Sequence, residues 1–179
     1  MKGRNILIMT VITGIWMGLP VRADESARYL KAQKFLSHLH HTNQMEIEMG
    51  QMAKEKGNSA QVRAYGTRLI EDRRDADKRV IALAQKNGIT LVPPSTSGLV
   101  RRLVVLRERS TMADLSKKTG TEFDKAFAEA IVYQQKLDIN KLESNEYSFK
   151  QPDIRELIVN RLLAQEQHLE LAWEIQRSF

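Results

Sequence analysis

Glu46 and Arg73 sit where apolar side chains belong. Projected at about 100° per residue, Phe35, Leu39, Glu46, Met49 and Ala53 form one stripe of a helix. Val62, Leu69, Arg73, Ala76 and Val80 form the stripe of the next, with Tyr65 and Asp72 on its flank. A carboxylate or guanidinium buried without a partner is very costly, so the two are expected to face each other as an ion pair. Two later segments repeat the pattern. Phe127, Ile131, Gln135, Asp138 and Leu142 share one face, and Ile158, Leu162, Gln165, Leu169 and Ala172 another, with Arg161 and His168 at its border. Each of four helices thus brings polar groups inward near its middle.

Two kinds of chemistry use such a layer. Inward side chains on facing helices build metal and cofactor sites, and the same residue types form hydrogen-bonded ion-pair networks that fix helix register. The candidate ligand-binding layer comprises Glu46, Asp72, Arg73, Gln135, Asp138 and His168. The carboxylate-bridged di-iron arrangement needs Glu-x-x-His on two helices, and the chain has none, which argues against ferroxidase or oxygenase chemistry. We therefore read the layer as structural, with no cofactor, and keep a divalent metal or small polar ligand as the alternative. His168 reads as a core-edge histidine. Of His38, His40 and His41, the first and last lie on a flank of the stripe and His40 points elsewhere, so the trio reads as solvated. Cysteine is absent and no Gly-x-Ser-x-Gly turn occurs, so no catalytic residue is assigned and the chain is read as no enzyme.

The elements that must position these groups follow from periodicity and breakers. Asp24 to Lys56 reads as a long helix stopped at Gly57, taken as a left-handed C-terminal turn. The second helix starts at the N-cap Ser59 and ends at Asn87-Gly88. Residues 89–97, with Pro93-Pro94, form the main loop. Gly98 to Leu115 reads as a short helix capping the others with a solvated basic side. Its Arg101, Arg102, Arg107 and Arg109 are also where a weak contact with a membrane surface or a protein would fall. Thr121 and Asp124 read as a capping box opening the third core helix, which runs to about Tyr147. Pro152 opens the last, which runs to about Arg177. No strand signal stands out. The expected fold is all-α: a four-helix bundle with a short extra helix in the long connection between the second and third core helices.

At 179 residues the chain suits one domain. Met1 to Asn5 carries two cations, Ile6 to Leu19 is an uncharged apolar run, and Val21-Arg22-Ala23 supplies a suitable cleavage site. Residues 1–23 are therefore expected to be a signal peptide, and residues 24–179 a single periplasmic domain. The apolar run is too short to span a bilayer, and no integral membrane segment is expected in the mature chain. The net charge is +6, but three cations lie within residues 1–23. The remainder is too weakly and too diffusely basic for nucleic acid.

Glu46-Ile47-Glu48-Met49-Gly50-x-Met52-Ala53, Ile70-Glu71-Asp72, Gly120-x-x-Phe123-Asp124-Lys125-Ala126-Phe127 and His168-Leu169 occur here in that order. In order and spacing they resemble the secreted bacterial ferritin-like bundles known as domain of unknown function 4142. The resemblance covers roughly Tyr29 to Ile175. It implies the four-helix fold, export and no established activity. It also implies histidines where this chain has Arg73 and Gln135. Only Glu46, Asp72 and His168 keep the family's residue types, and they are the set a metal would use.

Overall fold

The computed structural model describes residues 20–94 and 97–179. The chain is all-helical: α1 (Pro20–Lys56), α2 (Ala60–Lys86), α3 (Leu99–Lys117), α4 (Gly120–Glu143) and α5 (Pro152–Arg177). Among the described residues the backbone forms no strand, only an isolated bridge between Gly57 and Gly120. The expected apolar signal segment lies outside the described residues. α1 begins at Pro20, so the expected cleavage point after Ala23 falls inside its first turn.

α1 packs along α2 and α4 along α5, with α2 against α5 and α1 against α4 closing the arrangement. α1 and α2 approach closely at two glycines. A Cβ on Gly66 would lie 2.6 Å from the Gly50 carbonyl oxygen, and one on Gly50 would lie 2.9 Å from that of Gly66. Hydrogen takes the place of a side chain at both, so the two backbones touch.

The core is in two parts. Near the α1–α2 turn, Met49, Ala53, Val62, Tyr65, Leu69, Phe123, Phe127, Ile131, Leu169 and Ala172 pack together. At the other end, Phe35, Leu36, Leu39, Val80, Leu142, Phe149, Ile154 and Ile158 form a second cluster. On every core helix the polar positions fall between the two.

Several boundaries differ from the sequence reading. Gly57 is not left-handed. It is buried, and a Cβ there would meet the Ala53 carbonyl at 2.5 Å and Val62 Cγ1 at 2.8 Å, so it serves close packing. α4 starts at Gly120, and Thr119 at its N-cap position makes no side-chain capping hydrogen bond. Asp124 does not close a capping box with Thr121; its carboxylate accepts from the backbone N–H groups of Asn58 (2.8 Å) and Ser59 (2.7 Å). It thereby holds the α1–α2 turn from across the fold. α4 also ends at Glu143 rather than near Tyr147, in a run of turns. By contrast, Ser59 caps α2 as expected, accepting from Val62 N–H at 3.2 Å, and Gly88 after its end has φ 63°.

α3 runs over 19 residues, close to the Gly98 to Leu115 expected. It turns Val105, Glu108, Met112 and Leu115 inward, the spacing of one helical face. Leu99, Leu103, Val104 and Leu106 remain exposed, so the outer side is apolar as well as basic.

Candidate functional site: the polar layer between the two cores

Asn43, Glu46, Arg73, Asp77, Gln135, Asp138, Arg161, Gln165 and His168 are all buried, and they form a belt separating the two apolar clusters. Arg73 is at its centre. The Arg73 Nε–H donates to Glu46 Oε2. One terminal nitrogen donates to Gln165 Oε1 and to Gln135 Oε1, the latter at 3.3 Å. One guanidinium thus ties α1, α2, α4 and α5 together. The ion pair expected from the helical projections is present.

From Gln165 the network continues. Its amide donates to Asp138 Oδ2 at 2.6 Å, and the same oxygen accepts from Arg161 at 3.0 Å. Arg161 also donates to Asn43 Oδ1. Asn43 donates to Asp77 Oδ1 at 3.2 Å, and Gln44 to Asp77 Oδ2 at 2.7 Å. His40 Nδ1 lies 2.7 Å from Asp77 Oδ1, where the chain of contacts reaches the surface. Two carboxylates, Glu46 and Asp138, face two guanidiniums, Arg73 and Arg161, so the charge at the heart of the belt balances. Burial, and after it the Arg73 charge, lower the Arg161 pKa; Asp138 and Glu46 oppose that shift.

His168 sits at the belt's edge. Its Nε2 is 3.0 Å from the Asp72 carboxylate. Burial, and then the Arg73 guanidinium, push its pKa from 6.5 down to about 4 against the pull of Glu46 and Asp72. Its Nδ1, like Glu46 Oε1 and Arg161 Nε, is buried with no hydrogen-bond partner among the described residues. Tyr65 packs edge-on against this ring, 5.8 Å between centroids, and its hydroxyl donates to the His168 carbonyl at 3.3 Å. Burial and the Glu46 charge raise the phenol's pKa, keeping it protonated.

The structure brings Glu46, Arg73, Gln135 and Asp138 into one network with Gln165. Asp72 is a rim residue, its side chain 45 % exposed, shared between His168 and Arg68. Among the described residues no group of three or more His, Cys, Asp or Glu side chains could hold a metal ion. Arg161, placed at a border by projection, is buried. Asn43 and Asp77 were not singled out from sequence; their polar types on inward positions, one turn from Leu39 and Val80, were the available signal. The histidine trio is not simply solvated. His40 pairs with Asp77, His41 Nε2 lies 3.1 Å from Glu108 on α3, and His38 is held down to about 4 by burial, then by Lys141 and Arg161. Each is partly covered because α3 and α2 close over that side of α1.

Helices packed around a buried network of ion pairs and hydrogen bonds place this chain among all-α proteins with an ionic rather than an open interior. It belongs to the family described as domain of unknown function DUF4142, whose model matches residues 19–175. Among curated proteins none matches the chain. Solved structures similar to it include CopM in the Cu(I)-bound form, with a TM-score of 0.67, 14 % identity and coverage of 82 % of this chain and 96 % of that one. CopM in the apo form (TM-score 0.64, 13 % identity, 83 % and 97 % covered) and in the Ag-bound form (0.64, 13 %, 83 % and 96 %) are similar to the same degree. At such identity the likeness concerns the fold.

Proposed function

We propose that this chain is an exported, ferritin-like four-helix bundle without catalytic activity, acting through its surface as an envelope or stress-related interaction protein. The observation that supports this reading is the position of Arg73. Its guanidinium contacts Glu46, Gln135 and Gln165, occupying the middle of the polar layer, the kind of interior position from which facing helices build metal sites. A guanidinium stays protonated and has no lone pair to give. The polar belt then serves register: sliding one helix by a turn would set a buried charge against the apolar clusters on either side. Export is supported by the N-terminal pattern of charge, apolar run and small residues. Elemental analysis of untagged protein, with melting temperatures in the presence of zinc, manganese, iron, Cu(I) and Ag(I), tests the reading. No stoichiometric metal and no concentration-dependent rise is expected; either would overturn it.

The likeness to CopM in its Cu(I)-bound and Ag-bound forms favours a second reading, a metal-binding protein. Under it the metal would lie along α1 rather than in the belt. His41, Met45, Met49 and Met52 follow one another there at three- and four-residue spacing, and Met112 of α3 packs on the cluster that contains Met49. Thioether and imidazole donors suit soft monovalent ions, and the belt's carboxylates do not. Calorimetric titration with Ag(I) separates the readings. Binding that Met45→Leu weakens and Glu46→Gln leaves unchanged would carry the second.

A further inference from the structure

The first turns of α3 present an outward face that the interior does not use. Leu99, Leu103 and Leu106 are 74 %, 57 % and 60 % exposed. Spaced four and three residues apart, they lie in one stripe. At about 100° per residue, Arg109 falls on one side of that stripe and Arg107 on the other. Of the helix's two carboxylates, Glu108 turns inward to His41, while Asp114 lies about two turns past Leu106 on the Arg107 side of the stripe, beside Lys118. The surface continues onto α4, where the Arg107 guanidinium stacks over the Tyr133 ring at 4.1 Å. Tyr133 and Leu137, one turn on, are 40 % and 43 % exposed.

We propose that this face docks on an anionic phospholipid bilayer, with α3 lying in the plane of the surface. A leucine stripe between arginines is the arrangement that lets apolar groups enter the acyl boundary while long cationic side chains reach the phosphates. Tyr133 supplies an aromatic body with a polar tip of the kind that settles at that depth. A second copy of the chain is a poor occupant of the leucine stripe, because the cations flanking Leu103 and Leu106 are Arg107 and Arg109, and the one outward carboxylate of α3, Asp114, lies about two turns away. The docking is peripheral: no described helix is long and apolar enough to cross a membrane.

The test is co-sedimentation of the full chain, as the cell processes it, with vesicles of phosphatidylglycerol and phosphatidylcholine in equal parts, and with phosphatidylcholine alone. Binding is expected to the anionic vesicles and to weaken as salt rises from about 0.1 to about 0.5 M. Leu103→Asn with Leu106→Asn should lower partitioning by about tenfold. Helix content and melting temperature should not change, because both side chains are already exposed. Arg107→Gln with Arg109→Gln should remove the preference for anionic lipid. In a Leu103→Trp, Trp16→Phe, Trp173→Phe variant, the fluorescence should shift to the blue on adding anionic vesicles. Equal binding to both vesicles, or binding indifferent to the leucine substitutions, would overturn the proposal. So would a leucine-dependent dimer, or capture of an acidic protein, in the absence of vesicle binding.

Discussion

Arg73 shows how much of this interior hangs on one side chain. It is 1 % exposed and its charge is met by Glu46, itself fully buried. Replacing it with methionine fills the space but strands the carboxylate. Arg73→Met is therefore expected to destabilise the fold by roughly 3–5 kcal/mol, and adding Glu46→Gln should recover much of that loss, as read by urea denaturation. A near-neutral single change, or a double equal to the sum of the singles, would mean that the pair contributes little. His168 makes a prediction about pH. Its folded pKa of about 4 lies below the unfolded 6.5, so between these values the unfolded chain binds more protons. The stabilisation is complete above about pH 6.5 and is lost as pH falls toward 4, on the order of 3 kcal/mol at the acid end. Denaturation midpoints across pH 4–7 check the slope, which His168→Gln should reduce; an unchanged slope would assign it to other groups.

At the scale of elements, the fold depends on contacts that the helical pattern does not advertise. Gly50 and Gly66 are both buried in the middle of helices, where glycine ordinarily costs about 1 kcal/mol against alanine. Their reason is the α1–α2 approach. Gly66→Ala gains helix propensity but drives a methyl group into the Gly50 carbonyl and Ala53 Cβ, 2.6 and 2.8 Å away. We expect a net loss of about 1–3 kcal/mol, measurable as a lower melting temperature; an increase would mean that the helices can separate without penalty. Asp124 teaches the same lesson. Its spacing from Thr121 suits a capping box, yet its carboxylate serves the N–H groups of Asn58 and Ser59. Local spacing named the wrong partner because an orphan donor at another turn competed for the same oxygens. The exposed leucines of α3 were visible as residues, but which side of that helix would be covered depended on where α1 and α4 lie.

Across the whole molecule, four polar interruptions become one layer because each falls between the same two apolar clusters. His38 adds to the acid sensitivity: held to about 4 by burial, then by Lys141 and Arg161, it too favours the fold less as pH falls below 6.5. Removing both histidines in His38→Gln/His168→Gln should flatten the acid limb more than either change alone, which melting curves at pH 5 and 7 will show. Periodicity alone determined that the chain is helical, where its long helices run, and that Glu46, Arg73, Gln135, Asp138 and Gln165 face inward. An amphipathic stripe is a one-dimensional property, complete within its own helix. Only the tertiary structure decided that Arg161, Asn43 and Asp77 join the network, that Asp72 stays on the rim, and that Gly57 and Gly66 are needed for close packing. Those outcomes depend on distances between helices, and a projection of one helix contains no such distance.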